Sequence, residues 1–114
     1  MAGEPISETF TVEADHLARH IVPQRGQPYT HRCPLASLAE VAHAFNEAAG
    51  QGLTLDELSA RTGLPNSAVN TAFAFLKERG IVVPGHRRTH VSASRDVYLD
   101  AMTEYHALRE RPTA

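Results

Sequence analysis

The sequence predicts a mainly α domain, a three-helix core with a small β-hairpin, preceded by an N-terminal arm and followed by a C-terminal helix. Three observations carry that expectation. Apolar residues recur at three- and four-residue steps from Leu35 onward, Thr54 and Glu57 stand at capping-box spacing, and the β-branched run Ile81-Val82-Val83 leads into Pro84-Gly85. A chain of 114 residues supports a single core. Its 42% apolar and 21% charged content is ordinary for a globular protein and excludes a disordered or fibrous one.

Residues 1–34 lack sustained periodicity and are punctuated by proline and glycine, so they read as an arm. Within them, residues 8–12 have the make-up of a short strand. Residues 12–21 place Leu17, His20 and Ile21 on one helical side as far as Pro23, and residues 25–29 read as a turn.

Leu35, Leu38, Val41, Ala42 and Phe45 define the first helix, stopped by Gly50 and Gly52. The Thr54 hydroxyl and the Glu57 carboxylate can satisfy each other's backbone N–H groups, so a second helix begins at Leu55 and ends where Gly63 can turn left-handed. A third starts at Pro65 or Asn66, buries Val69, Ala72, Phe73 and Leu76, and stops at Gly80. It leaves Asn66, Ser67, Asn70 and Thr71 outward, with Phe75 toward the side, packed on the hairpin or exposed. The hairpin follows, with His86, Arg87 and Arg88 at its tip and residues 89–93 as the returning strand. Ser94 is the expected cap of a last helix whose apolar stripe is Val97, Tyr98, Ala101, Met102, Tyr105 and Leu108, closed by Pro112.

Charge is distributed unevenly. The formal net charge is −2, yet residues 60–95 carry six Lys/Arg against one Asp/Glu, net +5, while residues 1–59 carry three against eight, net −5. The positive segment is the one holding the third helix and the hairpin, the footprint expected of a nucleic-acid contact.

Other chemistries find little footing. Cys33 is alone, so no internal disulfide forms. His16, His20, His31 and Cys33 fit no common zinc spacing, and surface or core-edge histidines are the ordinary reading, so no metal is expected. A redox role for Cys33 has no sequence support. No nucleophile motif, Gly-rich phosphate loop or carboxylate pair occurs, so neither an enzyme nor a cofactor is expected. No apolar run approaches a membrane span and no basic-then-apolar leader opens the chain, which predicts a soluble, cytoplasmic protein.

Residues 55–70, LDELSARTGLPNSAVN, continuing as FLKERGIV over residues 75–82, resemble the winged helix-turn-helix regulators of the MarR and ArsR type. The resemblance covers residues 35–94, with residues 1–34 as an arm and residues 95–112 as a C-terminal helix. It implies a small transcriptional regulator that binds double-stranded DNA sequence-specifically and acts by occupying a promoter, with no chemistry. Carried over by position, Asn66, Ser67, Asn70 and Thr71 meet base edges. Arg87 and Arg88, with His86 beside them, meet phosphates from the hairpin. Lys77 joins the contact, and Arg61, Arg79 and Arg95 add phosphate attraction. The resemblance also implies a homodimer paired through the C-terminal helix, the arm or both. One departure stands out: the middle turns of the third helix hold Thr71, Ala72, Ala74 and Phe75 where such helices commonly place Arg or Lys. The alternative is a winged-helix module that binds a protein and no DNA. The acidic first half, the apolar run of residues 72–76 and the net negative charge favour it.

Overall fold

The computed structural model describes residues 5–111, and it corrects the fold class. Over these residues the chain is α+β, with 46% helix, 25% strand and two antiparallel sheets of three and two strands. A mainly α domain with a wing hairpin is therefore overturned, because much of the stretch read as an arm is sheet.

That sheet runs β1 (Ser7–Glu13), β2 (His16–Val22) and β3 (Tyr29–Pro34), in the order β1-β2-β3. Ala14 (φ 48°) and Asp15 (φ 62°) join β1 to β2 in the doubly left-handed turn whose twist matches a two-residue hairpin. The expected strand at residues 8–12 lies inside β1, whereas the helical side proposed for residues 12–21 is replaced by strand alternation. Leu17, Arg19 and Ile21 share one face; His16, Ala18 and His20 share the other. Register places Val12, Leu17 and Cys33 in one row, then Phe10, Arg19 and His31, then Glu8, Ile21 and Tyr29. Leu17 and Cys33 are fully buried and Phe10 nearly so, so this face enters the core. On the other face His20 bridges the Thr11 and Thr30 hydroxyls (2.8 and 2.9 Å), and Arg32 pairs with Glu13 (3.1 Å).

The helices follow the expected order. They are α1 (Leu35–Ala48), α2 (Leu55–Thr62), α3 (Asn66–Glu78) and, after the hairpin, α4 (Val97–Glu110). Leu38, Val41, Ala42 and Phe45 of α1 are buried as their spacing requires. The Thr54–Glu57 capping box forms in both directions (3.1 and 2.9 Å), and Gly63, at φ 67°, ends α2 with its N–H on the Ser59 carbonyl. The hairpin pairs β4 (Val82–Pro84) with β5 (His90–Ser92), with residues 86–88 in its loop.

One expectation about α4 changes. Asp96, not Ser94, caps it, its carboxylate accepting from the Leu99 N–H (3.0 Å). Asn46 of α1 secures the same end, donating to Asp96 (3.1 Å) and accepting from the Val97 N–H (2.7 Å). The α4 stripe is also occupied within the chain. Val97, Ala101 and Tyr105 are fully buried as α4 packs on α1 and β1, and Tyr98 stacks on His43 with centroids 4.3 Å apart. The proposed stop at Pro112 lies outside the described residues.

Candidate nucleic-acid interface

The third helix lies between two layers. Val69, Ala72, Phe73 and Leu76 are buried as expected, and Phe73 lies 6.0 Å from Phe45 of α1. Ala68, Thr71 and Phe75 are buried too, because α3 crosses the core face of the sheet, where the Phe75 ring meets Phe10 edge-on at 5.4 Å. Two sequence expectations are corrected here. Thr71 is fully buried with its hydroxyl donating to the Ser67 carbonyl (2.7 Å), so it presents nothing to a base. Phe75 is fully buried, so the exposed apolar side on α3 that favoured a protein partner does not exist.

What remains outward on α3 is a narrow arc. Asn66 and Ser67 are exposed on the first turn, and Asn70, half-buried, donates its amide to the Asn66 carbonyl (2.9 Å). Lys77 completes the arc, its ammonium 4.5 Å over the Phe73 ring. This arc borders a groove of about 430 Å³ lined by Asn70, Phe73, Ala74 and Lys77 of α3, the start of α2, Arg88 and His90 of the hairpin, and Arg19 of β2. Arg87 stands exposed at the hairpin tip at φ 59°. His90 sits edge-on to Phe73 at 5.0 Å. Burial, then the Lys77 charge, hold its pKa below the usual histidine value, so it is neutral near pH 7.

Arg19 is the groove residue that sequence reasoning missed. Its guanidinium is held by Glu8, and Asp56 is the acidic member of the groove lining. The signal that finds it is the period-two alternation Leu17, Arg19, Ile21, which puts a cation on the core face of a strand between two buried residues.

The structure disperses the rest of the positive segment. Arg61 lines a cleft between α1 and α2 with Glu40 and Glu47. Arg79 reaches Glu78 (3.1 Å) and Glu104 (3.9 Å). Arg95 lies beside the end of α1 with Asn46 and Ser94. Of the six cations in residues 60–95, Lys77 and Arg88 line the groove and Arg87 adjoins it.

Comparison with known proteins adds no family. The chain matches no family model, no curated protein and no solved structure. The groove therefore stands on its own geometry.

The other candidate groups separate. His16 and His20 lie on the outer sheet face, His31 and Cys33 on the core face, so these four donors do not converge. No cluster of three metal-ligating side chains occurs among the described residues. Burial pushes the Cys33 thiol up to about 12, which leaves it protonated and inert as a nucleophile. No helix among the described residues is long and apolar enough to cross a membrane.

Proposed function

We propose that this chain is a sequence-specific DNA-binding protein, a small transcriptional regulator that acts by occupying its site. Asn66, Ser67 and Asn70 read base edges from the exposed arc of α3, and Lys77, Arg87, Arg88 and Arg19 hold phosphates around it. The observation that carries the reading is convergence: Asn70, on the polar arc of one helix, shares a groove with cations from three separate elements, α3, the hairpin and the sheet, while Asn66 and Ser67 lie exposed on the first turn of the same helix. Thr71 drops out of the contact, and so do Arg61 and Arg95, which line other clefts, and Arg79, which pairs with Glu78 and Glu104.

A homodimer on a two-fold site remains part of the proposal. With the α4 stripe packed on α1, the pair must use other surface, such as that around Leu99, which is 58% exposed. Selection of binding sites from genomic fragments tests identity, specificity and symmetry together. One enriched sequence with two-fold symmetry is expected. No enrichment, and no mobility shift at low salt, would overturn the reading.

A specific observation keeps a second reading in view. Three of the six cations in residues 60–95 lie away from the groove and the net charge is −2, which fits a protein-binding module that touches no DNA. That reading expects no salt-dependent shift on any fragment.

A further inference from the structure

Beyond the Leu17–Cys33 row that enters the core, the same face of the three-stranded sheet continues outward. Arg19 and the exposed His31 form the next row, and the buried Ile21 and the exposed Tyr29 the one after, so the face is open along its β3 edge. Arg19 lines the α3 groove. Tyr29 is 45% exposed, His31 is also exposed, and their rings lie 5.0 Å apart with a 48° tilt. Two neighbouring solvent-facing rings thus share a sheet face with a guanidinium that opens onto a groove carrying Lys77 and Arg88.

The ring pair adds something that a duplex does not ask for. Bases in a double helix offer their edges to a protein, whereas a ring face on a protein is useful to a base that has left its stack. Open aromatic rings beside a cationic groove are the means by which proteins hold unpaired strands, the rings stacking on bases and the cations following the backbone.

We propose that Tyr29 and His31 stack on unpaired bases of a single-stranded DNA segment whose phosphates run along Arg19, Lys77 and Arg88. The inference rests on the DNA-binding reading above and names the form of DNA that this part of the site takes.

The test measures anisotropy of labelled oligothymidylate and of a mixed-sequence duplex with the full chain at low salt. Oligothymidylate is expected to bind more tightly than the mixed duplex. Tyr29→Ala combined with His31→Ala is expected to weaken oligothymidylate binding by about fivefold or more, while duplex affinity stays unchanged. Tyr29→Phe, which keeps the ring face, is expected to bind as the wild type does. Both side chains are exposed, and an unchanged far-ultraviolet dichroism spectrum checks that the variants fold. Duplex binding without oligothymidylate binding, or oligothymidylate binding indifferent to the double substitution, overturns this inference and leaves the DNA-binding reading standing. Failure to bind either probe overturns both.

Discussion

Ala14 and Asp15 hold the β1–β2 turn with both residues left-handed, and an alanine pays roughly 1 kcal/mol for that conformation. Turns of this kind are announced in sequence by Asn-Gly or Asp-Gly. Ala14-Asp15 carries no such mark, which is why the first hairpin is hidden in the sequence although Thr9, Phe10, Thr11 and Val12 are good strand formers. Ala14→Gly relieves roughly 1–2 kcal/mol of left-handed strain and gives back about 0.4–1 kcal/mol to the freer unfolded chain, so the unfolding free energy is expected to rise by up to about 1 kcal/mol, read as a higher denaturant midpoint at constant slope. An unfolding free energy that falls by about 0.5 kcal/mol or more, the cost of Gly without the strain relief, shows that Ala14 is not left-handed in solution. At the start of α4, the Leu99 N–H first, and the Asn46 amide second, hold the Asp96 carboxyl below its ordinary value of 3.8. A carboxyl depressed in the folded state contributes stability above its unfolded value, and that contribution is lost as pH falls through the folded one. Thermal unfolding should therefore show the wild type losing stability below about pH 4, with Asp96→Asn losing less over the same range. Parallel pH curves for the two proteins would remove the cap from the acid response.

At the scale of elements, what is legible in this sequence is what is local. The periodicity of Leu38, Val41 and Phe45, the Thr54–Glu57 box and the Gly63 stop each act within a few residues, and α1, α2 and α3 form where they place them. The sheet is non-local. Cys33 and Leu17 are neighbours only through register, and Phe75 finds Phe10 from 65 positions along the chain. An α3 judged by its own spacing thus shows one buried side, while the folded helix has two. The difference decides which site residues survive, withdrawing Thr71 and bringing in Arg19. It also gives residues 7–34 a structural duty that an arm lacks, since Phe10, Leu17 and Cys33 belong to the core. A chain beginning at Leu35 is expected to lose cooperative unfolding, with Phe75 and Ala68 uncovered, whereas a detachable arm would leave the transition intact. Phe75→Ala in the full chain is expected to cost about 3–5 kcal/mol. A loss under about 1 kcal/mol would mean that the sheet does not press on α3.

At the scale of the whole molecule, the question is how many positive charges a nucleic acid can meet at once. Sequence arithmetic assigns six to one segment, but folding turns Arg61, Arg79 and Arg95 away and adds Arg19 from the sheet. Arg19 is partly neutralised by Glu8, so under the proposed DNA binding one chain would offer Lys77, Arg87 and Arg88 as its main phosphate contacts. Each contact on duplex DNA contributes about −0.9 to the slope of log affinity against log salt concentration. One chain per site therefore predicts a slope of about −3, and a two-fold dimer about twice that. Six contacts from a single chain, the count that the linear charge pattern implies, would also give a slope near −5, so stoichiometry must be measured alongside it. Arg87→Ala with Arg88→Ala is expected to flatten the slope by nearly 2 per bound chain and to weaken all sequences alike. Asn70→Ala is expected to leave the slope where it is and to relax sequence preference, because it would remove a proposed base contact and no charge. If instead Arg61→Ala or Arg95→Ala flattens the slope as much as the hairpin pair does, the nucleic acid wraps faces of the molecule far from α3, and the groove is not where it is read.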